Sequence, residues 1–354
     1  MIARFFKLFA FASLAALLDA QSQGTVNGPV AGYVFDSAAQ GLRPILGLPG
    51  ASRLGNPLSF GYQVSAAFVA PRLDTVLAVA PDGGPHFFSI QNGALNEVAV
   101  NGLAAAVSPY LVAFSPSGGS LAIYTGKAVQ VITGLPGSPV VSGAADLTSL
   151  GAPSAMALSD DGAALLISVN NSIHLFGSYA DLGKLMDTGA SSAFAFAIGS
   201  HDAAISDTGA GVVLYRDLTG SGASQVVAAP DSSGKPSSAL AFSADGAAIY
   251  LANASTQTIT RLDLTAGASA ILPCSCTPTA LARMGNVLRL TELSSDPLWL
   301  LDRPDGAQPG NNARVVFVPA LVQSAANPPR HASPVHREPN RKSVETDPAL
   351  RYPR

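Results

Sequence analysis

Cys274 and Cys276, separated by one serine, are the only cysteines in this chain of 354 residues, and their type and spacing point most directly to chemistry. Thiols this close form a small disulfide ring in an oxidising compartment, and an even count leaves no orphan. Two other readings stay open: a pair of free thiols, and half of a zinc site. A closed zinc site needs four ligands, and no histidine or further cysteine lies nearby in sequence. A strained ring could serve redox chemistry, but the pair sits beside prolines in a connection between repeats, where a structural clip is the simpler role.

The histidines are His86, His174, His201, His331 and His336. None has a partner at ligand spacing, and none accompanies a serine-nucleophile motif. His174 lies in the alternating run Ser172-Ile173-His174-Leu175-Phe176, and His201 occupies a turn position where related segments carry Asp or Ser, so surface and turn roles are expected. The glycine-rich stretches Pro81–Pro85 and Gly220–Ala223 lack the Gly-Lys-Ser/Thr ending of a phosphate loop and read as hairpin tips. Asn170 and Asn253 match the short glycosylation acceptor pattern, which often arises by chance. Asp36, Asp217, Asp263 and Asp302 could form an acidic ring for a cation, but Asp also opens hairpin turns, and that role is expected. No catalytic, cofactor-binding or metal residue is therefore assigned, and no cofactor is implied.

These residues sit in a repeated unit. Its best copy is Ser238-Ala239-Leu240-Ala241-Phe242, then the turn Ser243-Ala244-Asp245-Gly246, then Ala247-Ala248-Ile249-Tyr250-Leu251-Ala252-Asn253. Aligning copies on the last apolar residue of the first strand gives Phe68, Phe114, Leu158, Phe196, Phe242 and Leu281, at spacings of 46, 44, 38, 46 and 39. A period near 43 is that of four-stranded propeller blades. Helical repeats of similar length need long runs with a 3.6-residue period, whereas apolar runs here are short and bounded by Gly, Pro, Asp or Ser. Small residues in the first strand suit a crowded inner position. The second strand, apolar on both faces, suits a sheet covered by neighbours. The turn takes its form from Ser or Asp capping backbone N–H groups and Gly at positive φ.

The fold expected is all-β: a single propeller of four-stranded blades, seven by the arithmetic of length, with six plus an extra hairpin as the alternative. The N-terminal segments Ala31–Phe35 and Leu42–Leu46 read as outer strands of a blade completed from elsewhere, which would join the two chain ends and close the ring.

The ends differ from the middle. Arg4 and Lys7, an apolar run to Leu18 and Leu18-Asp19-Ala20 read as a signal peptide over residues 1–20, cleaved near Ala20. Residues 21–323 are the propeller. Residues 324–354, rich in Pro and Arg and poor in apolar side chains, read as a disordered tail. Between the ends, twelve Lys and Arg face nineteen Asp and Glu, an acidic balance that argues against a nucleic-acid platform. No later run reaches transmembrane length.

The cassette resembles the Ser-Pro-Asp-Gly repeat of YVTN-type and lactonase-like seven-bladed β-propellers over about residues 60 to 320. Gly32–Asp36, Arg43–Gly50, Cys274–Thr279 and Val315–Ala320 also resemble uncharacterised exported propeller-like proteins of soil acidobacteria. The first resemblance implies the fold. It carries over no catalytic residue, because no matching His, Arg and Glu set is found. The expected function is that of an exported binding or scaffold protein, secreted or periplasmic, monomeric by default, with an unknown protein or small-molecule ligand. The alternative is a lactonase- or hydrolase-like enzyme with a polar site at the central channel, which three or more ionisable side chains converging on one channel mouth would favour.

Overall fold

Runs such as Ala164–Val169 and Ala248–Asn253 are apolar on both faces, a pattern that is stable only where both faces are covered. The computed structural model describes residues 28–188, 192–220, 222–230, 236–302 and 313–320. It makes each run the second strand of an antiparallel sheet, buried along nearly its whole length. Seven four-stranded sheets form a β-propeller, as blades covering residues 30–59, 66–98, 112–146, 155–187, 192–228, 239–273 and 282–318. No α-helix occurs among the described residues. The segments read as signal peptide (1–20) and tail (324–354) lie outside them.

The first strand of each blade is innermost, and neighbouring inner strands pack against one another, as Ala155–Leu158 does against Val112–Phe114 and Ser192–Phe196. The core is divided into seven clusters, each joining two adjacent blades. Leu121 and Ile123 of blade 3 meet Leu77 and Phe87 of blade 2. On the other face of the same strand, Ala122 and Tyr124 meet Leu165 and Ile167 of blade 4. This alternation explains why the second strands need apolar residues at every position. Each buried Leu, Ile or Phe contributes about 1.5–3 kcal/mol, so blade-to-blade packing dominates the stability.

The Ser-x-Asp-Gly element is a turn between the first and second strands. Ser243 Oγ accepts the Ala248 N–H at 2.9 Å and donates to Asp245 Oδ1 at 2.6 Å, while Asp245 Oδ1 accepts the Ala247 N–H at 3.0 Å. Ser159 and Asp161 repeat these contacts in blade 4. Gly246 and Gly162 take φ of 69° and 74°, where a Cβ would be strained.

Three expectations are corrected. First, β1 (Val30–Asp36) is the innermost strand of blade 1, against the inner strands of blades 2 and 7, and not an outer strand. It pairs with β2 (Gly41–Leu48), and β2 pairs with both β3 (Ala51–Leu54) and β4 (Leu58–Ser59) on its far side, so β3 and β4 form one interrupted rank. Second, the register places Val69 rather than Phe68, and Met284 rather than Leu281, at the last position of their inner strands. Third, no strand is shared between chain ends among the described residues. Every blade is built from consecutive strands, and the seam between blades 7 and 1 is closed by packing of Met284, Val287, Leu298 and Leu300 on Val34 and Ile45. Gly32 belongs to this seam, since a Cβ there would lie 2.9 Å from the Met284 sulfur.

Candidate functional site

The inner strands enclose a channel of about 690 Å³ lined by residues of all seven blades. The strands present the edges of their backbones to it, and the side chains along it are largely Ala, Val, Leu, Met and aromatic rings, including Phe35, Phe68, Phe114 and Phe242. The charged side chains on this lining are Arg283, Arg289 and Glu292, all from blade 7. Arg283 Nη2 donates to the Phe242 carbonyl oxygen of blade 6 at 2.7 Å. Arg289 forms an ion pair with Glu292. Arg283 lies opposite Leu288, whose side faces blade 6, whereas Arg289 is two residues from Val287, which faces blade 1. The two guanidinium groups thus leave blade 7 by opposite faces. Among the described residues, three charged groups line the channel, the carboxylate is tied to Arg289, and no histidine lies on the lining.

A second cluster lies at the turns between first and second strands of blades 3 to 5. Asp160 accepts the Ser117 N–H of the blade 3 turn and the Gly199 N–H of the blade 5 turn, both at 2.6 Å, one through each carboxylate oxygen. Its backbone oxygen accepts the Ser120 hydroxyl at 2.9 Å. Beside it, His201 Nε2 contacts Asp161 Oδ2 at 2.9 Å and His201 Nδ1 contacts the Thr219 hydroxyl. Partial burial pushes Asp161 up, but hydrogen bonds from Ser159, Ala163 and His201 outweigh it and hold the carboxyl below its ordinary range. Asp161, His201 and Thr219 have the connectivity of an acid, base and hydroxyl in acyl transfer. Asp161 and Thr219 are exposed at turn tips. Arg72 extends the clasping of turns, donating to the Leu135 carbonyl at 2.7 Å and pairing with Asp74.

The remaining candidates are dispersed. Cys274 and Cys276 are brought together as a bonded pair, with Cα atoms 5.0 Å apart, both buried in the cluster between blades 6 and 7. His86 Nδ1 contacts Glu97 Oε1 at 2.7 Å, and its ring packs on Tyr62 at 4.8 Å. The Tyr62 hydroxyl is buried without a hydrogen-bond partner; burial, with the Glu97 charge, pushes its phenol up to about 12. His174 Nδ1 stands 3.5 Å from Asp181 and has no hydrogen-bond partner. The remaining histidines, His331 and His336, lie outside the described residues.

The four aspartates do not form a ring. Asp36 ends an inner strand, while Asp217, Asp263 and Asp302 lie at the ends of third strands. Asp36 accepts the N–H groups of Ala38 and Ala39, and Asp263 those of Thr265 and Ala266. Burial raises Asp36, yet the Arg43 guanidinium and the two N–H groups hold its carboxyl below the usual range. Among the described residues, no group of three His, Cys, Asp or Glu is placed to hold a metal ion.

No protein-family model matches this chain, and no curated protein matches it, so likeness to known proteins stands at the level of fold. The chain is similar to the periplasmic gluconolactonase of Pseudomonas aeruginosa, with 16% identity, 82% of this chain and 96% of that one covered, and a TM-score of 0.54. It is also similar to a chain of the mitotic checkpoint complex, with 12% identity, coverage of 82% and 93%, and a TM-score of 0.51. These neighbours share a β-propeller fold with this chain while doing different things.

Proposed function

We propose that this protein is an exported β-propeller binding module whose ligand enters the central channel. The lining carries this reading: a concave site of about 690 Å³, with apolar side chains and polar backbone edges in about equal measure, has the size and mixed make-up of a small-molecule site, and the carboxylate that the described residues place on it is held in an ion pair rather than left as a proton acceptor. Export is supported by the basic and apolar N-terminal run ending at Ala20 and by the paired cysteines, which belong in an oxidising compartment. We read Cys274–Cys276 as a structural disulfide. Intact mass before and after reduction and alkylation checks it, and alkylation of the unreduced protein would refute it.

A second reading, a lactone or ester hydrolase, draws on Asp161, His201 and Thr219 rather than on the channel. One assay separates the two. The purified mature protein should hydrolyse none of a panel of small lactones and esters, while its melting temperature rises with a channel ligand. Turnover that disappears in His201→Gln would establish the hydrolase instead.

A further inference from the structure

The outermost strand of each blade has one edge that no other strand pairs with among the described residues, and such an edge pairs with other chains unless something blunts it. Charge does so in most blades: Arg53 in blade 1, Glu97 in blade 2, Asp146 in blade 3, Lys184 in blade 4 and Arg314 in blade 7 stand on those strands. Blade 5 has an uncharged outer strand, Ala223–Ala228, but its pairing is broken by a register shift beside Val212 and Val213. The outer strand of blade 6, Ser269–Pro273, has neither a charge nor a shift. It also carries Ile271, at 68% the most exposed large apolar side chain among the described residues.

The direction of each backbone group on this strand follows from its neighbours. The Cys274 N–H donates to the Gln257 carbonyl at 2.9 Å and the Asp263 N–H to the Ala268 carbonyl at 2.8 Å. The register between those bonds is unbroken, so Ala270 and Leu272 bond inward to the third strand, and Ser269, Ile271 and Pro273 face outward. The outward row is the N–H and carbonyl of Ser269, the same pair at Ile271, and a carbonyl alone at Pro273, which has no N–H to offer.

We infer that this edge pairs antiparallel with the same edge of a second copy of the chain, about a two-fold axis at Ile271. In that register the two Ile271 residues exchange a pair of hydrogen bonds, and each Ser269 N–H donates to the Pro273 carbonyl of the other copy. Every outward N–H is then satisfied, and the proline stands where no donor is asked of it. A register one residue away would set Ile271 against Ser269, whereas the axis at Ile271 lets each exposed isoleucine cover the other as a directly opposed cross-strand pair. Charge favours a copy as partner, since an uncharged edge meets no like charge when it meets itself. A contact five residues long falls short of a standard interface, so the dimer is a reversible one.

Sedimentation velocity on a concentration series from about 1 μM to about 1 mM tests this. The unaltered protein should pass reversibly from monomer to dimer. Ile271→Lys, which sets two like charges at the axis, should weaken association about tenfold or more, while Leu48→Lys, at a 65% exposed site in blade 1, should leave it unchanged. Hydrogen exchange needs no variant: the Ser269 and Ile271 amides should exchange freely in dilute protein and become protected as concentration rises. A protein monomeric throughout the series, or a dimer that Ile271→Lys leaves intact, would overturn the inference. Protection of those amides that is indifferent to concentration would mean that another segment holds the edge, and would overturn it too. None of these outcomes bears on the channel.

Discussion

Asp160 is a turn residue that holds three blades, and its removal tests whether the turns contribute to cohesion of the ring. Its two carboxylate oxygens accept the N–H groups of Ser117 and Gly199, each at 2.6 Å, in turns that belong to blades 3 and 5. Hydrogen bonds to charged groups contribute about 1.5–3 kcal/mol each where buried. Asp160 is only half-buried, and the Gly199 contact is exposed, so the lower part of that range applies and water can serve the freed donors. Asp160→Ala should therefore cost about 2 kcal/mol, which lowers the melting temperature by about 3–4 °C in a domain of this size. Asp245→Ala removes contacts confined to a single blade 6 turn and should cost about 1 kcal/mol. The comparison is made by urea unfolding and calorimetry on the two variants and the parent. If Asp160→Ala proved no more destabilising than Asp245→Ala, the turns would be independent, and cohesion would reside in the blade-to-blade clusters alone.

Met284→Ala, at a 3% exposed position in the seam between blades 7 and 1, should cost about 2–5 kcal/mol by urea unfolding. Tyr62→Phe removes a buried hydroxyl that has no partner, so stability at neutral pH should hold or rise by about 1 kcal/mol. The parent should lose stability as pH rises from about 10, where the unfolded phenol ionises, through the folded value of about 12; burial also raises Tyr33 and Tyr215, so the variant should show a smaller loss rather than none. Asp36 is depressed in the folded state; its contribution is fully present above the ordinary carboxylate value of about 4 and fades as pH falls through the folded one. Asp36→Asn should lower stability at pH 7 and flatten the acid limb of a stability-against-pH curve.

Much of the ring was legible because its physics repeats. The second strands must be apolar on both faces and the turns need Ser, Asp and Gly, so each copy announces the next. The rank of β1 is ambiguous in the sequence because Tyr33-Val34-Phe35-Asp36 has the same pattern as Trp299-Leu300-Leu301-Asp302, and a strand ending on an Asx turn looks alike at an inner or an outer rank. The register at Phe68 and Leu281 slipped by one and by three residues for a related reason: the turn after Val69 lacks the serine, and the turn after Met284 is shortened to Gly285-Asn286. Arg283 is legible in the sequence only as a departure from the repeat, an arginine in an inner strand whose counterparts are small or apolar. Asp160 and His201 show the limit of sequence reasoning, since their partners lie in other blades and only the closed ring brings them together.

A ring made of consecutive strands, with its seam formed by side chains, has a consequence for how the chain folds. Within a blade, paired residues are near in sequence, so each blade can form soon after its own strands are made, and rate is governed by such local contacts. The packing of Val34 and Ile45 on Leu298 and Leu300 is different, since it joins residues from opposite ends of the propeller and must await blade 7. Until then the chain is an open arc with two apolar flanks, competent to meet a second copy as readily as itself. Closure of the seam is therefore the step that buries those flanks, and destabilising it should lower the yield of soluble protein together with the melting temperature of what folds.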